Sequence, residues 1–350
     1  MSSPAEPRSF YAACEPAAKP TAIELCAGGG GQAIGISAAG FSHLALVELN
    51  PIACQTLRNN RPEWPIWIGD VRRFAATEVK VSDVTLVTGG VPCQPFTVAG
   101  HQRGHSDNRD LFPEAIRIVG EVRPSAVMFE NVSPLATSTF VEYRRGILSN
   151  LQRLGYYVET AVINAAEFGV PQERRRFIVV GRRSGAAPFP WPKIRARVVT
   201  VGEAIGDLMA ANGWRGAGRW AQQADQLAPT IVGGSDLHGG PDLGPTRTRR
   251  AWALMRVDGR GVANAAPDAD FPENGSPRLT LRMAARLQAF PDSWEFAGSK
   301  TAAYRQIGNA FPPPVAQELA MAIRRWLELP SSPSAAAQVQ PDLFSSADHT

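Results

Sequence analysis

The sequence has few cysteines and no long apolar run. Its four cysteines, Cys14, Cys26, Cys54 and Cys93, form no Cys-x-x-Cys pair, so neither a disulfide framework nor a zinc site is indicated. No stretch approaches the roughly 18 apolar residues that span a bilayer, and the N-terminus lacks the apolar run of a secretory signal. We therefore expect an unexported protein of the reducing cytoplasm, without a metal and without membrane contact.

A strong excess of one charge is also absent. The chain has 36 basic and 32 acidic residues and a formal net charge of +4. This mild excess is compatible with a polyanionic partner but does not identify nucleic acid. Hydrophobic residues make up 44% of the 350 positions, which is enough for a sizeable core. The composition favours an ordinary globular protein.

Strand-like and helical patterns alternate over residues 20–181, between two ends rich in Ala, Pro and Ser. Those ends, 1–19 and 330–350, predict mobile tails. Strand-like runs cover 22–26, 43–48, 84–88, 126–129, 157–163 and 177–181, and helical patterns reach 39 and cover 51–60, 111–122 and 140–154. The alternation predicts an α/β fold with a doubly wound sheet, in which ligands lie beyond the carboxyl ends of the strands.

A different character begins after residue 181. Residues 182–276 are rich in Gly, Pro and Arg, with weak periodicity and four tryptophans, Trp191, Trp214, Trp220 and Trp252. We expect a separate, irregular lobe there. Helical patterns return over 279–290, 304–309 and 313–329. The predicted boundaries are thus 20–181 for the first part of a core domain, 182–276 for the lobe and 277–329 for the end of the core.

The first candidate site is a glycine loop between a strand and a helix. Gly28, Gly30 and Ala33 fit the G-x-G-x-x-G/A dinucleotide pattern, and Glu48 stands near the distance of a ribose-binding acid. A match of this kind is equally often a plain tight turn. Asp70 is placed to accept a hydrogen bond from an adenine amino group, or to cap a helix.

The second candidate is Cys93, in the sequence Gly90-Val91-Pro92-Cys93-Gln94 directly after a strand. An isolated cysteine is more often a small buried residue. Here glycines and prolines predict a rigid loop that exposes the thiol, and an exposed thiol is a nucleophile where its thiolate is favoured. The polar segment 98–109 that follows predicts a mobile basic flap.

A strand-end acid and a basic cluster complete the candidates. Glu130, in Phe129-Glu130-Asn131-Val132, predicts a proton donor if it is partly desolvated, or else a cap of the next helix. The sequence Gln172-Glu173-Arg174-Arg175-Arg176 is most often a solvated charge run or a phosphate contact. We expect Gly28, Glu48, Asp70, Cys93 and Glu130 to meet at one edge of the sheet.

Taken together, these motifs resemble the DNA (cytosine-5)-methyltransferase family over nearly all of residues 20–329. The matching series, in order, is Glu24 to Gly31, Glu48, Asp70, Pro92-Cys93-Gln94, Glu130-Asn131-Val132, Gln172-x-Arg174-x-Arg176, Arg278-Leu279-Thr280 and Gln306-Ile307-Gly308-Asn309. The resemblance implies a doubly wound, Rossmann-like S-adenosylmethionine-dependent methyltransferase core. It also implies that the lobe is a smaller, irregular target recognition domain.

The resemblance further implies a mechanism. Cys93 attacks C6 of a cytosine flipped out of double-stranded DNA, and Glu130 holds N3 and the amino group. Arg176 holds O2, and Arg174 beside it is a further catalytic residue. Residues 91–109 would close over the base. For the cofactor, it implies contacts from a set of residues at the strand ends and near the end of the core, namely Cys26, Gly28, Gly30, Gly31, Glu48, Leu49, Asp70, Val71, Pro92 and Asn309.

Two positions depart from the family pattern. Cys26 stands where the family commonly has Phe, and Leu49 stands where it has an aromatic residue after the ribose-binding acid. Stacking on the adenine is therefore weaker here or comes from elsewhere. In the lobe, we expect arginines to contact phosphates or guanine edges and glycines to allow close backbone approach. These are Arg195, Arg197, Arg215, Arg219, Arg247, Arg249, Arg250, Gly233, Gly234, Gly239 and Gly240.

Other functions stay open at this stage. A tRNA-methylating relative shares the motif series, a nicotinamide-dependent oxidoreductase shares the glycine loop, and a catalytically silent DNA-binding module shares the lobe. The resemblance favours a monomer in a restriction-modification system, with a cognate endonuclease that is not a stable subunit. The sequence does not reveal the DNA site.

Overall fold

The computed structural model describes residues 19–75, 77, 79, 84–93, 110–183, 187–193, 196–233 and 242–330. The predicted tails, apart from one residue each, lie outside these ranges, as do the predicted flap at 98–109, Arg195, Gly234, Gly239 and Gly240.

A seven-stranded mixed sheet forms the centre of the described chain. The strands are β1 (Thr21–Leu25), β2 (Ser42–Glu48), β3 (Ile66–Ile68), β4 (Leu86–Gly89), β5 (Ala126–Val132), β6 (Tyr156–Asn164) and β7 (Arg175–Arg183). Their order is β3-β2-β1-β4-β5-β7-β6. The first five strands are parallel, whereas β7 runs antiparallel to both β5 and β6. The start of β7 therefore lies at the same edge as the carboxyl ends of the parallel strands.

Ten helices surround or extend the sheet in the described residues. They are α1 (Gly31–Ala38), α2 (Pro51–Asn60), α3 (Phe112–Val122), α4 (Val141–Arg153), α5 (Val201–Ala210), α6 (Ala217–Gln223), α7 (Thr246–Leu254), α8 (Leu281–Leu287), α9 (Lys300–Asn309) and α10 (Pro313–Glu328). The longest, α10, packs along α1. None of the described helices has the length and apolar character to cross a membrane.

The strands bury both of their faces, as the apolar runs predicted. Successive side chains of a strand point to opposite faces, so neighbours join different cores. In β5, Val127 and Phe129 pack with α3 and α4, whereas Ala126 and Met128 pack with α1 and α10. Helices on both faces of the sheet confirm the doubly wound α/β expectation.

Helices within residues 182–276 differ from the loop-like expectation. The helices there are α5, α6 and α7. They share a core with Trp214, Trp220 and Trp252, which are at most 3% exposed. This third core also includes residues of α8 and α9, together with Ala27 beside the glycine loop. The periodicity was weak because glycine, alanine and arginine occupy much of these helices, and the tryptophans supply the buried volume.

Local signals set some boundaries well and others poorly. Helix α2 spans the predicted 51–60, because Asn50 accepts hydrogen bonds from the first-turn amides and Pro51 fits the first position. Strand β3 was missed, since three residues are too few to show a period of two.

Candidate active site

The turn after β1 places its backbone in the left-handed region. Cys26, Gly28 and Gly30 have φ values of 57°, 56° and 89°. Glycine adopts this region without strain and lets a ligand approach the backbone. A Cβ added at Gly28 would meet no atom of the described residues within 4 Å. The glycine loop is therefore open at Gly28.

The other side of the loop is closed by the C-terminal part of the core. A Cβ added at Gly30 would lie 2.8 Å from the Trp294 ring, and one at Gly31 would lie 2.5 Å from the Phe311 carbonyl oxygen. The Trp294 indole Nε1 also donates a 3.0 Å hydrogen bond to the Gly29 carbonyl oxygen. Gly30 and Gly31 thus permit close packing, which holds the loop in shape.

Glu48 is held at the end of β2 by two backbone amides. Its Oε2 accepts from Gly28 N and its Oε1 from Asn50 N, each at 2.7 Å. Each carboxylate oxygen keeps a further lone pair with which to accept a ribose hydroxyl. Burial, and then the charges of Glu48 and Asp70, raise the pKa of Cys26 to about 12. Glu48 and Asp70 therefore lie close to the glycine loop, as predicted.

Asp70 caps the 3₁₀ turn Val71–Arg73 that follows β3. Its Oδ1 accepts from Arg72 N at 3.0 Å, and its Oδ2 pairs with the Arg72 guanidinium at 2.8 Å. The backbone hydrogen bond is the largest cause that lowers the pKa of Asp70. The capping interpretation is confirmed, and the adenine contact stays a prediction.

Arg117 of α3 anchors the same turn. Its Nη2 donates to Val71 O at 3.2 Å and to Phe74 O at 2.9 Å. Ion pairs with Glu114 at 2.7 Å and Glu121 at 2.6 Å orient the guanidinium along α3. The Val71 side chain is buried in the core, so this predicted cofactor residue offers its backbone or the edge of its side chain only.

Exposed apolar side chains flank the converging strand ends. Leu49, which directly follows β2, is 64% exposed, and Ile68 of β3, which pairs with Glu48, is 44% exposed. Glu24 of β1 is 1% exposed, and its Oε2 has no hydrogen-bond partner among the described residues. Burial, followed by the charge of Glu48, raises the pKa of Glu24 well above its ordinary value. The exposed Leu49 and Ile68 side chains can contact an apolar part of a ligand, and Glu24 Oε2 can form a hydrogen bond with a polar part.

Cys93 is buried, so the expectation of an exposed thiol is wrong for this structure. The side chain is 7% exposed and joins the core between the sheet and α3. Its Sγ donates a 2.6 Å hydrogen bond to Asn131 Oδ1, and burial raises the pKa of the thiol to about 12. The physical reason is Asn131, whose amide at the end of β5 holds the loop from Gly90 to Cys93 on the sheet.

Glu130 and Arg176 form an ion pair beside Cys93. Arg176 Nε lies 2.6 Å from Glu130 Oε1, without the alignment of a hydrogen bond, and the side chains are 12% and 11% exposed. Burial lowers the pKa of Arg176. A Cβ added at Gly90 would lie 3.1 Å from Glu130 Oε2, so the glycine leaves space over the carboxylate. The predicted acid and base-holding arginine are thus brought together.

Arg174 has a structural setting. The side chain is 1% exposed, and its guanidinium donates to the carbonyl oxygens of Ile231, Gly308 and Ala310 at 2.8 to 3.0 Å. Burial lowers its pKa well below the ordinary value. These contacts join β7 to the lobe and to the end of α9, and they do not support the predicted catalytic role. Arg174 does lie near Arg176, as expected.

Asn309 and Pro92 lie at the margins of the site. Asn309 is exposed, and a Cβ added at Gly233 would lie 2.3 Å from its Oδ1. A Cβ at Gly308 would likewise lie 2.4 Å from Gly233 N. The lobe and α9 can therefore approach each other this closely only because both positions are glycine. Pro92 is exposed, and its carbonyl oxygen accepts from Leu111 N at 3.1 Å. Their cofactor contacts stay predictions.

Several lobe arginines are already engaged. Arg197 pairs with Glu203 at 2.6 Å, and Arg219 donates to Asn274 Oδ1 at 2.7 Å. Arg215, Arg247 and Arg250 are exposed. Base contacts of individual arginines stay predictions.

Three contributors to the site were missed from the sequence. Asn131 and Trp294 contact elements that are distant in the chain, whereas Glu24 is a buried acid whose Oε2 has no hydrogen-bond partner among the described residues. An acidic residue in an apolar strand was the available signal for Glu24. For Trp294 no local pattern separates a core tryptophan from one that supports a loop.

Comparison with known proteins connects this site to a family. Residues 21–325 match the model of the C-5 cytosine-specific DNA methylase family. The chain is 48% identical over 310 residues to the type II methyltransferase M.NaeI of Lentzea aerocolonigenes, covering 88% of this chain and 75% of that protein. It is 45% identical over 318 residues to M.NgoMIV of Neisseria gonorrhoeae, covering 88% and 98%.

Solved structures share the fold at low sequence identity. The DNMT2 protein of Spodoptera frugiperda has a TM-score of 0.63 and 18% identity, covering 87% of this chain and 99% of that one. The Dnmt2 methyltransferase of S. pombe has a TM-score of 0.61 and 19% identity, covering 89% and 100%.

Proposed function

This chain belongs to the C-5 cytosine-specific DNA methylase family, and we propose that Cys93, Glu130 and Arg176 carry out its methyl transfer to cytosine in double-stranded DNA. The family uses S-adenosylmethionine and makes 5-methylcytosine. The observation that carries the proposal is the meeting of these three side chains at one sheet edge, beside the open glycine loop. Membership of the family sets aside the nicotinamide oxidoreductase.

The converging ends of β1, β2 and β3 fit S-adenosylmethionine. The buried Oε2 of Glu24, which has no hydrogen-bond partner among the described residues, offers a polar partner for the methionine end, and Gly28 leaves the backbone open. Glu48 retains lone pairs for the ribose hydroxyls. Leu49 and Ile68 offer apolar surface to the adenine ring, and with Leu49 in place of an aromatic residue this contact is aliphatic.

The residues near Cys93 would act on the base. A cytosine stacked in a duplex hides C6, so the base must first leave the stack. The Cys93 sulfur, after losing its proton to solvent water, bonds to C6 and displaces the C5–C6 electron pair toward C5. Glu130 binds N3 and supplies the proton that N3 gains, while Arg176 binds O2 and keeps Glu130 in place.

S-adenosylmethionine, when bound at the ends of β1, β2 and β3, would supply an electrophilic methyl group for C5. Loss of the C5 proton to water then returns the electron pair to the ring, and the bond between C6 and the Cys93 sulfur breaks. N3 returns its proton to Glu130, and the released sulfur regains a proton from water. The products balance as 5-methylcytosine, S-adenosylhomocysteine and one proton. Arg174 acts by holding β7 against the lobe and α9.

Residues 182–276 would recognise the DNA target, between core segments 20–181 and 277–329. Exposed Arg215, Arg247 and Arg250 provide positive charge for phosphates or guanine edges. By analogy with the type II relatives, the protein would act as a cytoplasmic monomer on nucleoid DNA, within a restriction-modification system that includes an endonuclease.

A labelled-methyl assay tests the proposed function. Purified protein should transfer label from S-adenosylmethionine to duplex DNA, and Cys93→Ser should abolish the transfer. Cys14→Ser is the matched control, because the mechanism gives that cysteine no role. Transfer to tRNA alone would move the function to RNA, and full activity of Cys93→Ser would refute the mechanism.

A further inference from the structure

Asn131 makes three hydrogen bonds, two of which tie the end of β5 to the loop after β4. Its Nδ2 donates to Val91 O at 2.8 Å, and its Oδ1 accepts from Val132 N at 2.8 Å and from Cys93 Sγ at 2.6 Å. The residue is 6% exposed. The amide is therefore fixed on both sides by backbone groups.

Those backbone partners decide which end of the amide faces the sulfur. Val91 O can only accept a hydrogen bond and Val132 N can only donate one, so Nδ2 must face the first and Oδ1 the second. Oδ1 is then the atom beside Cys93 Sγ. An amide oxygen only accepts, so this contact exists only while the sulfur carries its proton.

Burial and two negative charges act in the same direction. Burial is the largest cause that raises the thiol pKa to about 12, and the charges of Asp110 and Glu130 add to it, against a smaller lowering by the backbone hydrogen bond of Cys93. Tyr143 donates to Asp110 at 2.6 Å, and Arg176 is paired with Glu130. A hydrogen bond from Asn131 would lower this pKa only if Nδ2 faced the sulfur, and Nδ2 is bound to Val91 O instead.

We propose that Asn131 is a positioning residue that holds Cys93 as a neutral thiol in the free protein. The proposal rests on the proposed nucleophilic role of Cys93. Before the sulfur attacks C6, its hydrogen bond to Asn131 Oδ1 must break and its proton must leave to solvent water.

The pH dependence of Cys93 alkylation by iodoacetamide tests this in the full-length protein without methyl donor or DNA. The thiolate displaces iodide and forms a thioether, which peptide mass spectrometry assigns to Cys93. At about pH 8 the native protein should react at least about a hundredfold more slowly than the urea-unfolded chain. The midpoint of its pH profile should lie above 9.5, about one unit over an ordinary thiol. A midpoint near 8.5 with a reduced plateau would mean that the sulfur is merely hidden, and would overturn the proposal.

Two substitutions of Asn131 separate the acceptor from general loosening. Asn131→Ala removes the acceptor, and alkylation of Cys93 at about pH 8 should rise about tenfold with a lower midpoint. Asn131→Asp is isosteric and keeps an oxygen toward the sulfur while disturbing the bond to Val91, so its midpoint should equal or exceed that of the wild type. Equal acceleration in both variants would assign Asn131 a merely structural role.

Failure here is distinguishable from failure of the proposed function. The alkylation requires neither S-adenosylmethionine nor DNA, whereas the proposed function is tested by methyl transfer. If Asn131→Ala does not fold, Asn131→Asp still tests the proposal, because a midpoint below that of the wild type would overturn it.

Discussion

The ion pair of Glu130 and Arg176 leads to a quantitative prediction about stability. The 2.6 Å separation corresponds to a gross attraction of about 6 kcal/mol at an effective dielectric constant of about 20. Bringing both charges out of water costs several kcal/mol per ion, so the intact pair contributes little net stability. Breaking it is costly, because one charge is left buried without its partner.

We expect Glu130→Ala and Arg176→Ala each to reduce the free energy of unfolding by about 2 to 3 kcal/mol. This is near the low end for buried pairs, since the side chains are 11% and 12% exposed and water can reach the remaining charge. The double variant should lose about as much as one single variant, because no unpaired charge remains.

Urea unfolding of the four proteins in the cycle measures these free energies. The pairwise coupling should be about 2 kcal/mol. The solvent-exposed pair Arg145 and Glu142, with side chains 59% and 75% exposed, is the matched control and should show coupling of at most about 0.5 kcal/mol. Additive losses at Glu130 and Arg176 would refute the reasoning that burial makes this pair interdependent.

Three further predictions concern the cofactor loop, the Asp70 turn and a buried histidine. Arg117→Ala should raise the KM for S-adenosylmethionine severalfold with little change in kcat. The reason is that the Arg117 guanidinium holds the turn after Asp70 and does not itself contact a substrate. A matching loss of kcat would contradict this. Gly30→Ala should lower the free energy of unfolding by about 2 to 4 kcal/mol, because φ is 89° and the added Cβ would lie 2.8 Å from the Trp294 ring. The control Gly218→Ala in α6, where a Cβ would meet no atom of the described chain within 4 Å, should leave this free energy unchanged or raise it in the same urea assay. Burial lowers the pKa of His43 from 6.5 to about 4, so protonation favours the unfolded chain. The contribution of His43 to the free energy of unfolding is fully present above pH 6.5 and falls as the pH drops toward 4. The loss is about 2 kcal/mol at about pH 5. His43→Gln should remove that part of the pH dependence, and an unchanged slope in thermal melts would contradict the assignment.

The fold was predictable where local chemistry and long-range packing agree. The apolar runs of β1, β2 and β5 occupy central or near-central positions of the sheet, so both faces of each strand had to be apolar. The Asn50 cap and Pro51 marked the start of α2. By contrast, the Gly, Pro and Arg content and the weak periodicity of the lobe suggested a loop-like segment. Its helices were hidden because the tryptophans that bury them share a core with α8 and α9, which lie much later in the chain.

The sequence predicted which residues meet at the candidate site, but not how deeply Cys93 and Arg174 are buried or what they contact. The strand ends placed Glu48 and Glu130 at one edge, which follows from the alternation of strands and helices. The burial of Cys93 did not follow, since glycines and prolines in a loop say nothing of an acceptor supplied by β5. The setting of Arg174 was equally hidden, because its three partners are backbone carbonyls of residues far away in sequence.

The central claim is that the Cys93 sulfur bonds to C6 of the target base. Duplex DNA carrying 5-fluorocytosine at a site that sequencing has shown to be methylated tests it directly, because fluorine at C5 cannot leave as a proton and the bond to sulfur should persist. With S-adenosylmethionine present, we expect a denaturation-resistant adduct whose only modified peptide contains Cys93. Absence of an adduct, or an undiminished adduct with Cys93→Ser, would contradict the account.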